Sequence, residues 1–322
     1  MKAVVMYSAG ALPEYTDIPE PTVCDDDELL MTVKAAAIKH IDKSIASGKH
    51  YSAEEKQQAP VIGGDGVGLL QNGERVFAMG VSGMVAEKAI VRSNTIVPVP
   101  ESLDDSIAAA LPNAVAGSAM ALLYRANLKS GETVLINGAT GFTGKIAVQV
   151  AKHFGAGKII ITGRNEESLQ SLLSLGADEI IYVNQSDEEF ETRIKQIHNT
   201  TPIDIVIDYL WGHTAELILN AFKGKGNFTH ATRFVSIGAI TGDSIQLSAQ
   251  ILRSIDLHLC GSGLGSWTPG QVQYLFKTIL PEMFQLAAEG KLKIDTVSIE
   301  MKNTRDIWNS TIPGGSRVVV TM

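Results

Sequence analysis

Glycines at 138, 141 and 144 set the first chemical expectation. They lie in Val134-Leu135-Ile136-Asn137-Gly138-Ala139-Thr140-Gly141-Phe142-Thr143-Gly144, where an apolar strand pattern gives way to a helical one. Glycine at such a junction permits a tight turn, lets the backbone approach a large anion and lets the helix pack close to the sheet. The free N–H groups of the helix start, aided by the helix dipole, suit a diphosphate. The spacing is Gly-x-x-Gly-x-x-Gly rather than Gly-x-Gly-x-x-Gly, and a plain strand–helix junction also uses such glycines. The strand–helix units that follow favour the nucleotide. Gly138, Thr140, Gly141, Phe142, Thr143 and Gly144 are therefore candidate cofactor contacts.

The next strand ends in Ile161-Thr162-Gly163-Arg164-Asn165, with Arg164 20 residues after Gly144. A carboxylate near this position binds the ribose diol in NAD-specific folds, whereas arginine grips a 2′-phosphate bidentately. Arg164, flanked by Gly163 and Asn165, thus predicts NADPH over NADH. In the alternative, Arg164 is a solvated surface residue and Glu166 or Glu167 reaches the ribose.

These residues need a scaffold, and the sequence supplies one. From 114 to 257, apolar runs alternate with helical patterns. Strands are predicted over Thr133–Asn137, Lys158–Thr162, Glu179–Val183, Ile203–Asp208, Phe234–Gly238 and Leu257–Gly261. Near-continuous apolar runs are what parallel strands covered on both faces require. Ala147, Val150, Ala151 and Phe154 share one helical face, and Leu169, Leu172 and Leu173 another, with Gly176 as a C-cap. Such alternation predicts an α/β fold with a doubly wound parallel Rossmann sheet. Residues 1–113 carry short strand patterns broken by Gly, Pro and Asp, as in Leu29–Val33 and Arg75–Met79. The tail contains a helix around Gln271–Glu289 and a strand over Arg317–Thr321, too little for a third domain. The expected organisation is a β-rich domain of 1–113 plus 258–322, with a Rossmann domain of 114–257 inserted and a cleft between them.

Composition narrows the function classes. The chain has 322 residues, 45 % hydrophobic and 19 % charged, with a formal net charge of −8. Scattered basic residues on an acidic chain argue against a nucleic-acid partner. No charged segment leads into an apolar run at the start, and no apolar stretch is expected to cross a bilayer, so the predicted location is cytoplasmic. The only cysteines, Cys24 and Cys260, form no Cys-x-x-Cys pair, and a reducing compartment is expected.

Together the motifs resemble the medium-chain dehydrogenase/reductase superfamily, in its zinc-free quinone oxidoreductase branch. The resemblance rests on Asn137–Gly144, Ala151-Lys152-His153-Phe154-Gly155-Ala156, the hinge-like Ala108–Ala121 with Ala110-Leu111-Pro112, Ser174–Asp178 and Ile203–Asp208. It implies a GroES-like fold for the β-rich domain and a homodimer. It also locates what is missing. Zinc-dependent members carry a cysteine where this chain has Lys39, and a His-Glu pair where it has Gly64-Asp65. Zinc takes soft or imidazole ligands, so no zinc is expected, and His40 and Asp42 are assigned ordinary hydrogen-bonding roles. Quinone reductases usually carry Asn at the position of Lys39, and their segment before Arg75-Val76-Phe77 is longer.

The expected reaction is hydride transfer from NADPH to a quinone or α,β-unsaturated carbonyl. There, charge spreads onto a distant oxygen and a few hydrogen bonds suffice where a plain ketone would benefit from a metal. Candidate groups to polarise the acceptor are Lys39, His40, Asp42 and Tyr51. Lys39 could instead pair with Asp42 or Asp65. Asn113, Tyr209, Trp211, Gly238, Gly261 and Ser262 are placed near the nicotinamide, because ligands bind beyond the C-terminal strand ends. Two alternatives stay open: a cofactor-binding protein without turnover, and an enoyl-thioester reductase with a proton donor such as Tyr51.

Overall fold

The structure is a computed structural model that describes residues 1–48, 50, 61–310, 312 and 315–322. Tyr51 lies outside the described residues. The chain divides into two compact units, Met1–Pro112 with Phe276–Met322, and Asn113–Leu275.

The first unit opens with β1 (Lys2–Val5), paired antiparallel with β2 (Glu14–Asp17). The long β3 (Glu28–Ile38) follows, then α1 (His40–Ala46), β4 (Asp65–Leu70), β5 (Arg75–Met79), β6 (Lys88–Arg92) and β7 (Val97–Pro98). In β3 the outer residues alternate between buried and exposed, but Ala35 to Ile38 are all buried. The change falls at a register shift between Val33 and Ala35, where one extra residue bends the strand. After the second unit the chain returns through α9 (Leu280–Ala288), β14 (Thr296–Glu300), α10 (Thr304–Ile307) and β15 (Arg317–Thr321). The sheet order is β14-β15-β3-β4-β5-β7, with β6 also on β3. Met31, Val33, Met84, Val91 and Val320 fill its core, and Phe77 meets Phe284 of α9 edge-on.

Between these parts, α2 (Asp105–Met120) leads into the second unit. With the turn that extends it to Arg125, it is long and apolar enough to cross a membrane, against the sequence expectation. However, 72 % of its most apolar stretch is buried inside the protein, so packing accounts for its composition.

The second unit runs β8 (Thr133–Asn137), α3 (Phe142–His153), β9 (Lys158–Gly163), α4 (Glu166–Leu173), β10 (Glu179–Tyr182), α5 (Asp187–Thr200), β11 (Ile205–Asp208), α6 (Gly212–Ala221), β12 (Thr232–Ser236), α7 (Ala249–Ser254), β13 (Leu257–Gly261) and α8 (Pro269–Tyr274). All six strands are parallel, in the order β10-β9-β8-β11-β12-β13. This is the doubly wound Rossmann order, whose direction reverses between β8 and β11. Leu135, Ile160, Ile181, Val206 and Phe234 share a core with Phe190 and Ile194 of α5 and Ile218 of α6. The intervening Val134, Ile136, Ile159 and Ile161 are buried as well. Burial on both faces explains the near-continuous apolar runs, each such side chain contributing about 1.5–3 kcal/mol.

Several boundaries differ from the sequence reading: the strands predicted at Lys158–Thr162, Glu179–Val183 and Ile203–Asp208 span Lys158–Gly163, Glu179–Tyr182 and Ile205–Asp208. The strand predicted at Phe234–Gly238 spans Thr232–Ser236. The return to the first unit comes after Leu275, not at 258, because Leu257–Gly261 pairs along its whole length with β12.

Candidate active site

The nucleotide turn is built by the end of β8 and the start of α3. Gly138 takes φ +88°, and a Cβ there would lie 2.8 Å from the Leu210 side chain. One turn into α3, a Cβ on Gly144 would stand 2.5 Å from the Gly138 carbonyl oxygen and the Ala139 Cα. Both positions therefore exclude a side chain. The Gly138 N–H donates to Thr162 Oγ1 and the Ala139 N–H to the Thr162 carbonyl, at 3.2 and 2.9 Å. The next two N–H groups, of Thr140 and Gly141, meet no acceptor among the described residues. Gly141 is the N-cap of the 12-residue α3, with open space above its Cα, and buried Phe142 and half-buried Thr143 begin the helix. Two unpaired donors at the positive end of a helix dipole can hold a phosphate oxygen.

A buried polar chain fixes this turn. Asn137, Thr162 and Asp208, at or next to the C-terminal ends of β8, β9 and β11, are fully buried. Thr162 Oγ1 donates to Asn137 Oδ1 at 2.6 Å, and Asn137 Nδ2 donates to Asp208 Oδ1 at 2.8 Å and to Thr214 Oγ1 at 3.1 Å. Asp208 also accepts the N–H groups of Leu210 and Trp211. Burial pushes the Asp208 carboxyl above its ordinary range, while these donors pull it back. All three lie within motifs and strand ends of the sequence reading, which gives none of them a role of its own. Their signal was a polar residue closing an apolar parallel strand.

Trp211, which caps α6, has φ +58° and ψ −156°, a region nearly reserved for glycine. Its N–H is tied to Asp208, its carbonyl accepts Thr241 Oγ1 at 3.0 Å, and its ring packs edge-on against Phe234. Tyr209 was expected to border the nicotinamide, but its ring turns into the interior and is only 6 % exposed. The hydroxyl lies beside Ser118 without completing a hydrogen bond, and burial raises it far above its ordinary range.

At the ribose end, Gly163 is the buried last residue of β9 and Arg164 is exposed. The Arg164 guanidinium has no partner among the described residues, and its carbonyl accepts Asn184 Nδ2 at 3.0 Å. Asn165 is committed elsewhere: its Oδ1 caps α4 by accepting the Ser168 N–H. Glu166 and Glu167 stand in the first turn of α4, where carboxylates complement the helix dipole. Farther along the sheet edge, the Gly238 N–H reaches the Asp208 carbonyl, and the Gly261 carbonyl accepts Arg125 Nε. Ser262 is buried, its hydroxyl accepting Trp267 Nε1 at 3.1 Å. Asn113 is half-buried in α2.

In the first unit, Lys39 does not reach outward. It is 3 % exposed, with Nζ 2.7 Å from Asp65 Oδ1, 3.2 Å from Asp42 Oδ2 and 3.3 Å from the Ala37 carbonyl. Burial pulls its ammonium down, but Asp42 and Asp65 outweigh burial and hold it above its ordinary value. Lys39 therefore serves the pairing alternative and is sealed from an external acceptor. Asp42 accepts the Lys39 and Gly64 N–H groups at 2.8 and 3.1 Å. His40 is exposed, and partial desolvation together with the charges of Arg317 and Lys43 lowers its imidazole.

The sequence model of the zinc-binding dehydrogenase family matches residues 143–285. Human quinone oxidoreductase is 30 % identical over 252 residues, covering 74 % of this chain and 73 % of that protein. The chain belongs to the quinone oxidoreductase branch of the medium-chain dehydrogenase/reductase superfamily. A probable NADPH-dependent quinone reductase of Emericella nidulans is 27 % identical over 360 aligned positions, with 99 % of both chains covered. The quinone oxidoreductase of Thermus thermophilus, also solved in complex with NADPH, superposes with a TM-score of 0.78 at 25 % identity over the full length of both chains.

The zinc in the family's description does not fit this oxidoreductase. The matched segment excludes Lys39 and Asp65, and no group of three His, Cys, Asp or Glu side chains able to hold a metal occurs among the described residues. Cys24 lies exposed in the first unit and Cys260 in β13 of the second. Where zinc relatives place ligands, the carboxylates are already taken by an ammonium and backbone N–H groups. Arg317, buried beside them and donating to the Ile38 carbonyl, was not foreseen.

Proposed function

We propose that this oxidoreductase passes hydride from NADPH to a quinone or an α,β-unsaturated carbonyl, without a metal. The observation that carries the reading is the pair of N–H groups, Thr140 and Gly141, left without an acceptor among the described residues at the dipole end of α3. In this reading they hold the diphosphate, and Thr162, Asn137 and Asp208 keep the turn in shape. Arg164, whose guanidinium has no partner among the described residues, grips the 2′-phosphate through charge-assisted bonds. Bound NADPH supplies the hydride. The names of the relatives from Emericella nidulans and Thermus thermophilus support this cofactor and acceptor class.

The same proposal includes a cytoplasmic homodimer. Both cysteines are free. The half-buried apolar strand β13 pairs with β12 on one side and with no strand on the other among the described residues. Such an edge is suited to a second copy.

Fluorescence titration with NADPH and NADH, followed by NADPH oxidation against a panel of quinones and enones, tests the reading. Micromolar-range NADPH binding that exceeds NADH binding, with turnover, is the expected result. Tight binding without turnover on any acceptor would favour a binding role, and no nucleotide affinity would overturn the proposal.

A further inference from the structure

The mismatch with a metal leads one step further. Lys39, Asp42, Asp65 and Arg317 are all nearly fully buried in the first unit. They come from the start of α1, the start of β4 and the start of β15. Lys39 Nζ bridges Asp65 and Asp42 at 2.7 and 3.2 Å. Burial pulls the Arg317 guanidinium down to about 10 against the opposing pull of both carboxylates, and it donates to the Ile38 carbonyl across a sequence separation of 279 residues. Lys39 is the cation in direct contact with both carboxylates. The cluster ties segments far apart in sequence, as a structural metal does, and the carboxylates also accept the Lys39 and Gly64 N–H groups. A divalent ion could enter only by expelling the ammonium, which would leave a buried lysine without its partners.

We propose that the Lys39 ammonium, bridging Asp42 and Asp65, stands where a divalent metal would, so that this unit folds around an internal ammonium and takes no zinc. Lys39 is then a structural counter-ion. This inference concerns the first unit alone and does not rest on the cofactor reading.

Zinc content by elemental analysis and melting curves of the full-length protein, with and without 1,10-phenanthroline, form the first test. The wild type is expected to carry no stoichiometric zinc and to melt unchanged with the chelator. The second test compares Lys39→Met with the pairwise variant Lys39→Met/Asp65→Asn. The single variant strands a buried carboxylate and should melt lower by on the order of 10 °C. The double variant removes both charges and should recover at least half of that loss. If the single variant is insoluble and the double one soluble, the proposal is equally supported. Stoichiometric zinc, a chelator-sensitive wild type, a Lys39→Met protein as stable as wild type, or a double variant no better than the single would each overturn it.

Discussion

Thr162 Oγ1 donates to Asn137 Oδ1 across 2.6 Å while accepting the Gly138 N–H at 3.2 Å. One hydroxyl thus joins the end of β8, the end of β9 and the first peptide of the nucleotide turn. Thr162→Val keeps the shape but breaks both bonds and leaves the half-buried Gly138 N–H and the buried Asn137 Oδ1 without this partner, a change of about 1–3 kcal/mol. NADPH affinity is expected to fall roughly tenfold or more, with Thr162→Ser close to wild type. Titration of both variants beside melting curves is the check. A lower melting temperature with unchanged affinity would confine Thr162 to holding the sheet together.

Arg164 carries the cofactor preference. Arg164→Ala should raise the Michaelis constant for NADPH about 10-fold or more and leave that for NADH nearly unchanged, because only the phosphate-bearing nucleotide loses a charge-assisted contact. Steady-state kinetics with both nucleotides read this directly. An equal effect on the two would assign the selectivity elsewhere, with Glu166 and Glu167 next to be replaced.

His198 gives the second unit a pH dependence. Its ring is lowered chiefly by burial and then by the charge of His230, and its Nδ1 accepts the Ile203 N–H at 3.1 Å. The folded protein therefore favours the neutral ring more than the unfolded chain does. This contribution is fully present above the unfolded value of about 6.5 and is lost as pH falls through the lowered folded value. The melting temperature of wild type relative to His198→Asn should drop as pH falls below about 6.5. A pH-independent difference would exclude the histidine as its source. His213 works in the opposite sense, since its hydrogen bond to Asp187 raises it, but it is exposed.

Trp211 reverses an ordinary ranking. A side chain at φ +58° and ψ −156° costs about 1–3 kcal/mol, which the Asp208 bonds and the packing on Phe234 offset. Once the ring is removed, alanine keeps the backbone cost and glycine does not. Trp211→Gly should therefore be more stable than Trp211→Ala by about 1 kcal/mol in denaturant melts. The opposite order would show that the loop relaxes to an ordinary conformation when the ring is absent.

The parallel sheet was legible because burial on both faces writes a simple pattern: Val134-Leu135-Ile136 and Ile159-Ile160-Ile161 could hardly be anything else. The nucleotide turn was legible for a related reason, since glycine is the only residue that Gly138 and Gly144 admit. What periodicity does not carry is pairing. The attachment of Leu257–Gly261 to β12 placed the unit boundary later than its composition suggested. Lys39 was recognisable as an odd residue, but the second buried cation, Arg317, sits 278 positions later and only the β3–β15 register brings the two strands together. The orientation of Tyr209 was not legible, because the residue after a strand end can turn either way, and an aromatic ring gains most by turning inward.

Asn137, Thr162 and Asp208 satisfy one another in series, so none of them can drift alone. Substitutions there should be strongly non-additive, and a lineage that loses one is under pressure to rebuild the other two. Anyone transplanting this glycine loop to a new scaffold would need to bring three strand tips along with it, because the shape of the loop is stored in its neighbours.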